Sequence, residues 1–274
     1  MGQRIRTAIV AIPIALFLIK MGGLLFALGV LILGLVGFRE YRNMLTRDGI
    51  QVYRATGLVG TALLIGAAGL GRPDWLLPLV TCFPFWCCWK ALFLCPGPFS
   101  GNTGLTCMAL VYLGLPFAHF ILLRELSGPF HTIPGWGTVS LGEALLWTVM
   151  FATWASDTFA YFGGRAFGKT KLLPRVSPKK TREGACAASL AAWPPCGSWA
   201  PVAPVSSGAG AAPGVGIGFF APLGDLVESI LKRSCDIKDS GNFFPGHGGV
   251  LDRCDSLIFS VPFAYYFITL CLLG

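Results

Sequence analysis

The sequence predicts an all-α fold, a polytopic transmembrane helical bundle with a polar site at its cytosolic face. Three observations lead there. Of 274 residues, 54% are hydrophobic and only 12% are charged, where an ordinary soluble domain carries about 25% charged residues, and mean hydropathy is +0.67. Apolar runs near the length of a membrane helix, about 20 residues, recur along the chain. The charges that remain are grouped: Lys and Arg flank the apolar runs, where they report orientation, and six of the thirteen acidic residues fall between Asp225 and Asp255. The net charge of +8 therefore points to topology, and nucleic acid is excluded as a partner. The ten cysteines form no Cys-x-x-Cys pair and mostly lie in apolar runs, as small membrane hydrophobes do.

From Thr7 to Phe38 the chain is apolar except for Lys20 and the glycines at 22 and 23. One helix of that length would run about 48 Å, beyond a hydrocarbon core of about 30 Å, so two short spans breaking near Lys20 are expected. A secretory signal is excluded by the lack of a small-x-small cleavage site. Both flanks are basic, Arg4 and Arg6, then Arg39, Arg42, Arg47 and Arg54, which places both in the cytosol. Further spans are expected over 55–72, 75–95, 104–124, 141–164 and 256–273. Residues 1–124 form an N-terminal set of transmembrane helices and 125–274 a C-terminal catalytic region. His119 and His131 lack ligand spacing and read as structural.

Two polar stretches interrupt this pattern. Asp157 sits in an otherwise apolar span, about 12 Å along the helix from Arg165. An intramembrane carboxylate is by default a functional candidate; an ion pair at the membrane edge is the structural alternative. Arg165, Lys169, Lys171, Arg175, Lys179, Lys180 and Arg182 follow, suited to a topology signal, an anionic-lipid patch or a cradle for phosphates. In the second stretch a helix is expected to begin near Leu223, placing Asp225, Glu228, Ser229 and Lys232 at i, i+3, i+4 and i+7 on one face. A Gly-rich turn then leads to Asp252 and Asp255. Carboxylates beside cations and glycines suit a Mg²⁺–phosphate site, and equally a solvated salt-bridge loop.

Between these stretches, residues 186–222 are rich in Pro, Gly and Ala, with prolines at 194, 195, 201, 204, 213 and 222. An interior proline costs a helix about 3 kcal/mol, so two regular spans are not expected here.

The polar stretches resemble the phosphatidate cytidylyltransferase, or CDP-diacylglycerol synthase, family. The match runs through Ser229, Lys232, Arg233, Lys238, Asp239, Gly241, Pro245, His247, Gly248, Gly249, Asp252, Arg253 and Asp255. Upstream it takes in Asp157, Thr158, Ala160, Tyr161, Gly164, Arg165, Phe167, Gly168 and Lys169, then Ser177 to Thr181, Glu183 and Gly184. Cys254 stands where the family carries a larger apolar residue, and Arg182 where it carries Trp. Over 186–222 the family has two apolar helices, and the abrupt change in composition suggests a local frame shift or a divergent copy that would compromise them.

The resemblance implies a membrane nucleotidyltransferase that joins CTP and phosphatidic acid into CDP-diacylglycerol and pyrophosphate with Mg²⁺. Asp225 and Asp252 would ligate the metal, with Asp157, Asp239 and Asp255 as supporting carboxylates. Lys232, Arg233, Lys238 and Arg253 would bind phosphates, and Ser177, Lys179 and Lys180 the nucleotide or lipid headgroup. Ser229, Gly248 and Gly249 would line the substrate site, with His247 orienting the turn. The implied setting is a bacterial inner membrane with the site facing the cytosol; the bilayer is a partner, and a homodimer is one assembly considered. A CTP-dependent lipid kinase and a non-catalytic transporter or scaffold are the alternatives.

Overall fold

A computed structural model describes residues 2–47, 49–94, 99–133, 137–174, 176–192 and 211–272. It divides into two compact units. The first comprises Met1–Leu122 with Ser234–Arg253, the second Leu123–Arg233 with Cys254–Gly274. Arg175, the prolines at 194, 195, 201 and 204, and Cys95 and Cys196 lie outside the described residues.

In the first unit α1 (Gly2–Met21) and α2 (Gly23–Arg47) meet at Gly22 and Gly23, with φ of 63° and 53°. Side chains avoid that left-handed region, so this pair is where an overlong apolar run can bend, close to the expected break at Lys20. α3 (Arg54–Gly69) and α4 (Leu76–Phe93) follow, joined by a 3₁₀ turn over Pro73–Trp75. α5 (Gly104–Ala109) passes through a π-turn, Leu110–Gly114, into α6 (Leu115–Arg124). Phe38, Leu64, Ile65, Leu113 and Phe117 are fully buried and form the apolar centre of this unit. The Tyr41 hydroxyl donates to the Leu105 carbonyl at 3.1 Å, which ties α2 to α5.

The second unit holds two short antiparallel ribbons that composition did not predict. β1 (His131–Ile133) pairs with β2 (Gly137–Val139), and β3 (Lys171–Leu173) with β4 (Ser177–Thr181). α7 (Leu141–Phe167) starts on Ser140, whose hydroxyl accepts from the Glu143 N–H at 3.3 Å, an N-cap followed three residues on by Glu. α8 (Arg182–Ala191) is capped likewise by Thr181, which accepts from the Gly184 N–H at 3.2 Å. A Cβ at Gly184 would stand 2.7 Å from the Ala160 carbonyl oxygen, so only glycine lets α8 lie this close to α7.

α9 (Ala211–Ser234) corrects one expectation. The helix does not begin near Leu223; it starts twelve residues earlier and runs through Pro222. Tertiary packing outweighs the propensity cost: a Cβ at Gly218 would strike the Ser189 backbone, one at Gly224 the Asp255 carbonyl, and Phe220 stacks on Phe263 with centroids 4.7 Å apart. The glycines that made 211–222 look unlike a membrane helix are thus its contact surface. α10 (Leu251–Phe267) also begins earlier than the expected 256, so Asp252, Arg253 and Asp255 are helical residues of its first turns.

Among the described residues, five helical stretches are long and apolar enough to cross a membrane: Gly23–Thr46, Pro73–Phe93, Gly101–Arg124, Pro213–Ser234 and Leu251–Cys271. The chain is an all-α polytopic membrane protein. α7, with 27 residues, spans about 40 Å and carries Asp157 inside its length.

Candidate active site

In the second unit, three helices and a ribbon bring part of the expected set together, Asp157, Lys180, Asp225, Ser229, Lys232 and Asp255. β4 presents Lys180, whose ammonium lies 2.7 Å from the Asp225 carboxylate on α9. Side chains alternate along a strand, so Lys180 turns to α9 while Lys179 is exposed. Asp225 also accepts from the Ser229 hydroxyl one turn on, at 3.3 Å. Asp157 on α7 accepts from the Ser256 hydroxyl of α10 at 3.3 Å. The Asp157, Asp225 and Asp255 carboxylates lie within electrostatic reach of one another, with Lys180 acting on Asp157 and Asp255, and Lys232 on Asp255.

The polar face of α9 is divided into two pairs. Asp225 and Ser229 form one; Glu228, with 0% of its side chain exposed, takes the Lys232 ammonium at 2.6 Å and forms the other. A buried carboxylate needs such a partner, so much of Lys232's charge is spent within the helix. Arg233, Lys169, Arg165 and Arg182 are exposed, and Ser177 is half-buried on β4. The Thr170 N–H donates to both Glu183 oxygens, at 3.1 and 3.2 Å. Hydrogen bonds from its own backbone N–H and from those of Thr170 and Lys169 hold the Glu183 carboxyl below the usual glutamate range, fixing the turn that leads into the ribbon.

The signature loop lies in the first unit. Asp252 Oδ2 accepts from the Ser240 N–H at 2.9 Å, the Ser240 hydroxyl at 2.8 Å and the Gly249 N–H at 2.8 Å, so this carboxylate closes the loop on itself. Gly248 adopts φ 91°, and a Cβ there would stand 2.6 Å from Asp252 Oδ2. His247 donates its backbone N–H to the Phe244 carbonyl at 2.8 Å, while its Nδ1 is shielded and has no hydrogen-bond partner among the described residues. Lys238, Asp239 and Arg253 are exposed.

Sequence reasoning missed Glu40. The residue is 7% exposed, and its carboxylate accepts from the Val250 N–H at 3.0 Å and the Leu251 N–H at 3.1 Å. Those groups open α10, and an acid there satisfies otherwise unpaired donors at the positive end of a helix. A Cβ at Gly241 or Gly249 would press against the same carboxylate. Beside it a cavity of about 540 Å³ is lined by Arg39, Asn43, Asp239, Ser240 and Asn242. The available signal was a lone acid in the apolar α2, the same signal that singled out Asp157.

Among the described residues, no three His, Cys, Asp or Glu side chains stand close enough to enclose a metal ion by themselves. Mg²⁺ is commonly held by one or two carboxylates plus substrate phosphates, and the hard oxygens of Asp157, Asp225 and Asp255 fit that donor chemistry.

A polytopic bundle that gathers carboxylates and a lysine from three helices and a ribbon suits a membrane-embedded phosphoryl- or nucleotidyl-transfer enzyme, and the chain belongs to the cytidylyltransferase family, whose model matches residues 2–271. It is similar to the phosphatidate cytidylyltransferase of Bacillus subtilis, 31% identical over 284 residues and covering 98% of both chains. The Synechocystis phosphatidate cytidylyltransferase is 32% identical, over 98% of this chain and 97% of the relative. That of Pseudomonas aeruginosa is 37% identical, over 95% and 94%.

Proposed function

We propose that this protein is a phosphatidate cytidylyltransferase that joins CTP and phosphatidic acid into CDP-diacylglycerol and pyrophosphate. The observation that carries this reading is the convergence of Asp157, Asp225 and Asp255 with Lys180 in one unit of the fold.

In the reaction a phosphate oxygen of phosphatidic acid attacks the α-phosphorus of CTP. The bond from that phosphorus to the α–β bridging oxygen breaks, and the electron pair leaves with pyrophosphate. The nucleophile arrives ionised, so no general base is required. The difficulty is repulsion between two anions. Lys180, held at the carboxylate cluster, and exposed Lys179 and Arg233 are placed to offset phosphate charge in the second unit; charge-assisted hydrogen bonds of this kind are strong. Asp157, Asp225 and Asp255 would hold Mg²⁺, which when bound would neutralise phosphate charge and stabilise the leaving pyrophosphate. Lys180, paired with Asp225 here, would offer its ammonium to a phosphate oxygen. On the first unit's loop, Lys238 and Arg253 are exposed cations suited to phosphate oxygens, and Asp252 keeps the loop closed.

The reading further places the protein in a bacterial cytoplasmic membrane with these groups on the cytosolic side, supported by the basic residues that follow α7. Purified protein, given CTP labelled in the α-phosphate, Mg²⁺ and phosphatidic acid, should release unlabelled pyrophosphate and place the label in a lipid. Release of labelled CDP would make the enzyme a lipid kinase and refute the reading.

A further inference from the structure

A second charged locus in the first unit, which shares Arg39 and Asn43 with the cavity beside Glu40, is not used by the carboxylate–lysine cluster. Leu35, Arg39 and Arg42 recur at i, i+4 and i+7 along α2, on one helix face. With Val36, Asn43 and, from the start of α3, Arg54 and Leu58, they line a cavity of about 350 Å³. As a sequence, these arginines read only as a topology signal. Such residues need only to fan out into water, yet here three guanidinium side chains border one cavity.

Among the described residues no carboxylate lies within ion-pair distance of Arg39, Arg42 or Arg54. Arg42 Nε is shielded from solvent and has no hydrogen-bond partner among the described residues, a costly state for a charged donor. An anion with several acceptor oxygens would satisfy it, and guanidinium forks match phosphate.

The lining is also divided by polarity. The aliphatic wall joins Leu35 and Val36, which precede Arg39 and Arg42 along a candidate span, Gly23–Thr46, to Leu58 of α3, with about 10 Å of helix from Leu35 to Arg42. A soluble anion has no use for that wall; a lipid has. We propose that Arg39, Arg42, Asn43 and Arg54 form a receptor for the phosphate ester of an anionic membrane lipid, whose apolar portion rests on Leu35, Val36 and Leu58. The site shares no residue with the carboxylate–lysine cluster of the second unit and does not depend on the activity proposed above.

The test is lipid retention measured by native mass spectrometry on detergent-purified full-length protein. It is titrated separately with phosphatidic acid, phosphatidylglycerol, phosphatidylcholine, CTP and inorganic phosphate. The wild type should retain an anionic lipid in preference to phosphatidylcholine. Arg42→Gln/Arg54→Gln should weaken that retention at least about tenfold, and Arg42→Lys, which keeps charge but loses the fork, by less. Arg54→Gln alone, at an exposed helix start, tests the site if the double variant fails to fold, and should show a smaller loss. Arg72→Gln, removing an exposed arginine paired with Asp74, should change nothing. Retention of phosphatidic acid alone or of both anionic lipids, if lost in the arginine variants, supports the site. Arginine-dependent binding of CTP or inorganic phosphate without lipid would overturn the lipid assignment, and retention unchanged by every arginine variant would overturn the site.

Discussion

The Lys180 ammonium stands 2.7 Å from the Asp225 carboxylate, across 45 residues of chain that include the Pro- and Gly-rich segment. The ribbon bearing Lys180 and the helix bearing Asp225 must both be correctly placed for this pair to form. If the pair is the resting form of the reaction centre, each partner should fail differently. Lys180→Gln should raise the KM for an anionic substrate and lower kcat/KM by about 10²-fold, the scale of losing one transition-state donor. Asp225→Asn should lower kcat with less effect on KM. Steady-state kinetics with both substrates varied would separate the two.

Glu40 sets a second prediction. Glu40→Ala removes the acceptor for the Val250 and Leu251 N–H groups and should destabilise the protein by about 3 kcal/mol, the upper range for hydrogen bonds to a charged group. Glu40→Gln, which keeps a carbonyl acceptor, should lose less. Thermal unfolding in detergent reads both, and equal midpoints for wild type and Glu40→Ala would remove Glu40 from the account.

The helix contact at Gly224 gives a third. Gly224→Ala puts a methyl against the Asp255 carbonyl and should cost about 1–3 kcal/mol, as overpacking does. Activity should fall with stability because Asp225 is the next residue. Gly66→Ala, where a Cβ meets nothing within 4 Å, is the control and should be neutral or better, since alanine is the stronger helix former.

Glu183 supplies a pH dependence. Its carboxyl is held below the ordinary value by hydrogen bonds from backbone N–H groups. A depressed folded-state pKa contributes stability that is present above the unfolded pKa, about 4.3 for glutamate, and lost as pH falls through the folded value. The unfolding midpoints of wild type and Glu183→Gln should therefore differ at pH 6 and converge toward pH 3. A constant difference would show that the charge of Glu183 is not what matters.

How much was legible in the sequence follows from range. The α9 face was readable because i, i+3, i+4 and i+7 are local, and the spans over α2, α4, α5 to α6 and α10 because apolar runs announce themselves by length; the expected spans over 55–72 and 141–164 are not among the described stretches long and apolar enough to cross. Lys180 could not be told from Lys179, since the alternation that separates them belongs to a five-residue strand in a predominantly basic loop. Glu40 was hidden because its partners, Val250 and Leu251, are about 210 residues away and its neighbours are arginines with a ready explanation. The start of α9 was misplaced because proline and glycine weigh against a helix locally, whereas Phe263, Ser189 and Asp255, which those glycines accommodate, lie on other helices.

The most direct measurement is a charge swap. Lys180→Asp/Asp225→Lys keeps an ion pair in place but moves the carboxylate off α9. The swapped protein should unfold near the wild-type temperature and turn over CTP and phosphatidic acid at least about 10²-fold more slowly. Recovery of wild-type turnover in the swapped protein would contradict it and leave the pair a fastening between ribbon and helix.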